Sequence, residues 1–266
     1  MDTSRLSVPA AALSPDLRAA IDAARRLGVR GIEVDARGGL EPTQVSRTGL
    51  RQIRKWLDDA GLHVSAVAFR TRGGYADGER LEGRVAATKA ALELAHGLGA
   101  SVVLNHVGEI PPAAADGEEQ DDPRWRLLVD VLADLGRFGQ RVGATLCAEA
   151  GRAGPDELGR IIAALPESSI GCDIVTGALV VHGHDPVTAV ERLASHVGFV
   201  HATDAVAGAF AGRGRATEPG RGHVDLATVL GTLEERGYRG WIGLEPVDPR
   251  GGVAELAAAV SFFRGV

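Results

Sequence analysis

One phrase recurs along this chain: an amphipathic stretch of helical length, a glycine, then a short apolar run rich in β-branched residues. It reads "RRLGVRGIEV", "DDAGLHVSAV", "HGLGASVVL", "RVGATLCAE" and "ERGYRGWIGLE". A glycine at such a junction ends a helix by entering the left-handed region, and Gly28, Gly61, Gly99, Gly143 and Gly237 are placed to do so. Helix and strand patterns that alternate in this way specify parallel βα units. The expected strands are Leu6–Val8, Gly31–Asp35, His63–Phe69, Ser101–His106, Ala144–Glu149, Ser169–Asp173, Gly198–Thr203 and Trp241–Glu245. The expected helices are Pro15–Leu27, Arg47–Ala60, Arg80–Leu98, Pro123–Arg141, Pro155–Leu165, Pro186–Ala194, Leu226–Arg236 and Gly252–Phe263, the first capped by Ser14 with Pro15 at its first position. Eight such strands close a barrel, and the 266 residues match the roughly 250 that a barrel requires. The chain is therefore expected to be α/β, a single (β/α)8 TIM barrel forming one domain over residues 1–266. An open doubly wound sheet is the structural rival. It would carry a glycine-rich phosphate turn after its first strand, and Val8-Pro9-Ala10-Ala11 is not one.

Composition narrows the function classes. Hydrophobic residues make up 45% of the chain and charged residues 24%, enough for a large core and against disorder. A net charge of −6, with basic residues scattered, argues against a nucleic-acid or membrane surface. Cys147 and Cys172 lie in apolar runs and read as buried core thiols. The N-terminal stretch lacks the pattern of a secretory signal, and no apolar run is long enough to span a membrane. These features lead to the expectation of a cytoplasmic enzyme, and the apolar outer helices leave room for a homo-oligomer.

Charged groups at the ends of otherwise apolar strands mark the site. The fifth strand ends in Glu149, the sixth in Asp173, the seventh carries His201 with Asp204 at its end, and the eighth ends in Glu245. In a barrel these positions meet at one face, together with the long loops 70–78, 108–122 and 204–224. Crowded carboxylates repel unless a proton or cation lies between them. A divalent ion (Mn, Mg, Co or Zn) held by three carboxylates and one imidazole resolves the repulsion. Structural ion pairs or helix caps are the plainer alternative for each residue taken singly.

Across nearly the whole chain, "AARRLGVRGIEVD", "LCAEAG", "CDIVTGALVVHGHDP", "VHATDA" and "EPGRGHVDLATVLGTLEERGYRGWIGLE" resemble the xylose isomerase-like barrels, the sugar phosphate isomerase/epimerase and endonuclease IV-like superfamily. The resemblance implies that Glu149, Asp173, His201 and Glu245 bind one divalent metal. It also implies that Glu149 and Glu245 act as the proton-transferring pair. A metal chelated by a hydroxyl and an adjacent carbonyl acidifies the carbon-bound proton and stabilises the enediolate. The implied activity is isomerisation or epimerisation of a small sugar or polyol. Dehydration of the inosose dehydratase type and a non-catalytic metal- or sugar-binding barrel are the alternatives.

The chain departs from the family pattern in places. Thr176 stands where many relatives carry a histidine after the strand-six aspartate, and "RGHVD" does not supply the Asp-x-His pair of the endonuclease-type members. His182 and His184 read as loop histidines that could substitute for the missing one. Glu33 and His106 point to the same face and are candidate substrate-binding residues, with Glu33 alternatively paired to Arg37 or Arg70. Arg213, Arg215 and Arg221 lie in the loop after strand seven, where an arginine could clamp a phosphate or carboxylate. Trp241 is expected in the outer packing layer, and His223 has no assigned role.

Overall fold

Strands in a parallel sheet are buried on both faces, so their apolar runs need partners on each side. The computed structural model, which describes residues 3–113, 122–167, 169–248 and 250–265, satisfies this by closing the sheet on itself. Strands β1 (Leu6–Pro9), β2 (Gly31–Asp35), β3 (His63–Ala68), β4 (Val102–Asn105), β5 (Thr145–Ala150), β6 (Gly171–Val175) and β7 (Val197–His201) pair in sequence order. A short antiparallel hairpin, β8 (Asp204–Val206) and β9 (Arg215–Thr217), follows β7. The last strand, β10 (Ile242–Gly243), lies between β7 and β1 and completes the barrel. Helices α1 (Ala10–Leu13), α2 (Leu17–Leu27), α3 (Arg47–Ala60), α4 (Leu81–Leu98), α5 (Pro123–Val142), α6 (Pro155–Ala163), α7 (Thr176–Val181), α8 (Pro186–Leu193), α9 (Leu226–Glu235) and α10 (Gly252–Arg264) fill the connections.

The glycine punctuation does what the sequence suggested: Gly28, Gly61, Gly99, Gly143 and Gly237 all have φ between +67° and +86°. The start of α2 differs from expectation. Its cap is Asp16, whose carboxylate accepts from Ala19 N at 2.8 Å, while Ser14 Oγ accepts from Asp16 N. Two consecutive side chain–backbone bonds thus push the helix start past Pro15. The closing strand is also shorter than Trp241–Glu245, although Leu244 N still donates to Ser7 O at 2.8 Å. Of the loop after β4, residues 114–121 lie outside the described residues.

Alternation with period two puts successive inner residues in layers. Cys147 and Glu149 lie on one face of β5, Gly171 and Asp173 on one face of β6, and Phe199 and His201 on one face of β7. The lower layer is apolar: Ala66, Val102, Leu104, Cys147 and Phe199 form one inner cluster. Trp241 packs against this cluster and so belongs to the barrel interior, not to the outer layer. A single tryptophan can do this because β2, β7 and β10 present glycines inward. A Cβ on Gly31 would meet the Trp241 ring, and one on Gly243 would meet Phe199 and His201. The other strand faces, including Leu6, Val8, Ile32, Leu146 and Val200, pack on helix residues such as Leu128, Leu132, Leu256 and Phe263. Each such fully buried side chain contributes about 1.5–3 kcal/mol. Cys147 and Cys172 are both buried and free. No described helix is long and apolar enough to cross a membrane.

Candidate active site

The upper layer of the barrel interior is polar. Glu33 projects from β2, Glu149 from β5, Asp173 from β6 and His201 from β7, while Glu245 lies two residues beyond β10. Glu149, Asp173, His201 and Glu245, expected on one face, all come to the mouth of the barrel with Glu33. His201 is held at both ring nitrogens: Nδ1 lies 2.7 Å from Asp173 Oδ2 and Nε2 lies 2.9 Å from Glu33 Oε2. Its other neighbour is Glu245 Oε1, 3.7 Å from Nε2. Burial opposes charge on this imidazole, but Asp173, Glu245 and Glu33 outweigh it and hold the pKa well above the ordinary histidine value.

Arg70, anticipated only as an alternative pairing partner of Glu33, does face that residue and stands among the other acids as well. It follows β3 by two residues, and its backbone is tied down. Phe69 N donates to Leu104 O, Asn105 Nδ2 donates to Phe69 O, and Arg37 Nη1 donates to Arg70 O at 2.9 Å. From that anchor the guanidinium reaches three strands. Nε donates to Glu149 Oε1 at 2.5 Å, Nη1 lies 3.4 Å from Glu33 Oε1, and Nη2 lies 3.7 Å from Glu245 Oε1. Burial disfavours its charge, yet Glu33, Glu149 and Glu245 raise its pKa further. Burial also pushes Glu33 upward, but His201 and then Arg70 bring its pKa below the ordinary carboxylate value. Glu149 differs: burial dominates, opposed by Arg70, and its pKa rises to about 7.

His106 lies one residue beyond β4, half-exposed, with Nε2 3.5 Å from Glu149 Oε2. Burial and the Arg70 charge lower its pKa. A cavity of about 710 Å³ is lined by Thr71, His106, Glu149, Arg152 and His182. A second, of about 250 Å³, is lined by Thr203, Thr217, Glu245 and again His182. Glu149 and Glu245 thus open to adjoining spaces, and His182, expected as a loop histidine, borders both. Arg213 and Arg215 lie exposed on the β8–β9 segment and line neither cavity.

Two residues have structural work that the sequence did not reveal. Thr176 Oγ1 donates to Thr203 O at 2.5 Å and accepts from Thr203 N at 3.0 Å, pinning the start of α7 to the end of β7. Asp204 accepts from the backbone N–H groups of Ala205, Gly220, Gly222 and Val224, so its carboxylate folds the "EPGRGHV" loop around itself. A Cβ on Gly222 would collide with that carboxylate. His223, without an assigned role above, accepts from Ala207 N through Nδ1 at 3.2 Å.

Residues 21–265 match the sequence model of the xylose isomerase-like TIM barrel. The chain belongs to that family. Among proteins of known name, an inosose dehydratase from Clostridium beijerinckii is 25% identical over 242 residues, covering 82% of this chain and 78% of that one. A xylose isomerase domain protein from Planctomyces limnophilus superposes with a TM-score of 0.84 at 23% identity, covering 98% and 95% of the two chains. A D-psicose 3-epimerase from Clostridium cellulolyticum, solved with D-tagatose, has a TM-score of 0.77 at 15% identity, covering 98% and 99%. A family barrel from Mycobacterium smegmatis, solved with magnesium, has a TM-score of 0.77 at 18% identity, covering 98% and 95%.

Whether a divalent ion suits this xylose isomerase-like barrel turns on its donors. Three carboxylates and an imidazole are the hard, mixed oxygen–nitrogen set that small divalent cations accept. Asp173 Oδ1 is moreover a buried oxygen without a hydrogen-bond partner among the described residues. The donor chemistry fits. With Arg70 in their midst, however, no three His, Cys, Asp or Glu groups among the described residues converge at metal-ligand spacing.

Proposed function

We propose that this protein is an isomerase or epimerase of a small sugar or polyol, in which Glu149 and Glu245 exchange a proton at a carbon next to a carbonyl. One observation carries the reading: two carboxylates, one from β5 and one just beyond β10, line adjoining cavities and face the same guanidinium, and one of them has a pKa of about 7. A base is most effective when its pKa lies near the working pH, which Glu149 meets. Glu245, about a third exposed, is placed to return the proton to the other face. His106 beside Glu149 is positioned to orient a substrate hydroxyl. Glu33 and Asp173 hold the His201 ring at both nitrogens, so His201 would ligate an ion only by giving up one of these bonds together with its proton. Glu149, Asp173, His201 and Glu245 are the residues that would hold a divalent ion, whose Lewis acidity toward a substrate carbonyl would lower the barrier to proton removal. The named relatives, an inosose dehydratase and a ketose 3-epimerase, support a small polyhydroxylated substrate.

The test is a panel of ketoses and inososes incubated with the protein and Mn²⁺ in deuterated water. Deuterium entering the carbon next to the carbonyl, at unchanged carbon skeleton, supports the reading, with exchange falling at least a hundredfold in Glu149→Gln. Exchange undiminished in both Glu149→Gln and Glu245→Gln would sink it, as would its absence with every substrate in the panel. The inosose dehydratase relative favours a second reading, a lyase, which product mass separates because one water is lost.

A further inference from the structure

We propose that Arg70 is a built-in cation that holds the place of the divalent ion, so that guanidinium and ion compete for the carboxylates of Glu149 and Glu245. The inference rests on reading Glu149, Asp173, His201 and Glu245 as the ion's ligands. Its own support is the geometry of Arg70. Each donor nitrogen of the guanidinium faces a different acid: Nε faces Glu149, Nη1 faces Glu33 and Nη2 faces Glu245. Two of those three acids belong to the ligand set. An ion bonded to both Glu149 and Glu245 would lie next to the guanidinium that faces the same two acids, which brings two positive charges together in a partly buried site. Ion and guanidinium are therefore alternatives.

The charge count makes the exchange feasible in both directions. Four carboxyl groups (Glu33, Glu149, Asp173 and Glu245) face one guanidinium and one imidazole, so removing Arg70 without a substitute leaves buried acids unpaired. A divalent ion supplies the missing charge. The anchoring also fits an exchange of the side chain alone. The backbone at Phe69–Arg70 is fixed by bonds from Asn105 and Arg37, while the Arg70 side chain is a third exposed, and its partner Glu149 lines the cavity bordered by Thr71 and His106. The guanidinium can withdraw into that space by side-chain rotation, where it would face bound substrate. A substrate with an anionic group would favour the withdrawn position and so tighten ion binding.

The experiment measures Mn²⁺ binding to chelator-treated protein, by calorimetry and by the spin resonance of free Mn²⁺, in wild type, Arg70→Gln and Arg72→Gln. Arg72 is an exposed neighbour with no contact to the acids among the described residues, and controls for charge alone. Competition predicts one ion per chain, bound at least tenfold tighter by Arg70→Gln than by wild type, with Arg72→Gln within twofold of wild type. Should Arg70→Gln fold poorly with its acids unpaired, wild type answers by itself. The hydrogen-bonded Arg70 Nε–H resonance, assigned by its loss in Arg70→Lys, must shift or vanish on saturation with Mg²⁺. Equal affinity in wild type and Arg70→Gln, or the same tightening in Arg72→Gln, overturns the competition while leaving the ligand assignment standing. Absence of any bound ion in wild type and Arg70→Gln alike overturns both.

Discussion

Glu149 shows how burial and one charge partner set the behaviour of a single carboxyl. Arg70 donates to it at 2.5 Å, yet burial prevails and the pKa rises to about 7 from an ordinary 4.5. A carboxyl whose pKa is higher in the folded than in the unfolded chain takes up a proton on folding. Its contribution to stability is therefore present at low pH and fades as pH rises from 4.5 through 7. Glu149→Gln removes that dependence. In chelator-treated protein, the stability of wild type relative to Glu149→Gln should fall by on the order of 2–3 kcal/mol between pH 4.5 and 7.5. Urea midpoints across that range check it, and parallel curves for the two proteins would contradict the raised pKa. Asp173, with one oxygen on His201 and the other buried without a hydrogen-bond partner among the described residues, is a different residue-scale case. Asp173→Asn keeps the volume but replaces an anion next to an imidazole, and should lower the His201 pKa in a histidine NMR titration.

At the scale of elements, the site depends on how neighbouring segments are tied. The loop after β3 and the loop after β4 touch backbone to backbone at Gly74 and Gly108, where a Cβ on either would strike the other's Cα. Gly108 also has φ +91°, a conformation side chains rarely adopt. These loops carry Arg70 and His106, so the contact sets the spacing between them. Gly108→Ala should destabilise the protein by about 1–3 kcal/mol. It should also impair proton exchange at least as strongly as it impairs folding, read as a drop in kcat in the surviving folded fraction. Thr176 ties the start of α7 to the end of β7, its hydroxyl facing the Thr203 backbone. His182, six residues on at the end of α7, borders both cavities, the larger of them together with His106.

For the whole molecule, the barrel works as two layers with opposite chemistry, an apolar floor and a charged mouth. The floor is Ala66, Val102, Leu104, Cys147 and Phe199 closed by Trp241, and on β5 and β7 the mouth residues Glu149 and His201 lie two positions beyond Cys147 and Phe199. The Phe199 and His201 rings lie 4.9 Å apart between centroids and tilted by 55°, a contact that joins the layers. Trp241→Ala should cost on the order of 3 kcal/mol in chemical denaturation. The mouth should be less affected, because its bonds run between strand ends and not through the floor.

What could be read in advance was periodic or local. Helix–glycine–strand repeats set the element order, and position at the ends of apolar strands brought Glu149, Asp173, His201 and Glu245 to one face, because both signals depend on neighbours a few residues away. Several features could not be read this way: Arg70 as the cation of the mouth, Glu33 as a partner of His201, Thr176 as a clamp and Asp204 as the organiser of its loop. Arg70 meets Glu149 across 79 residues, and His201 meets Glu33 across 168. No local pattern encodes such pairs. Barrel closure brings those strand ends together, and a buried charge then takes whichever opposite charge the closed barrel places within reach.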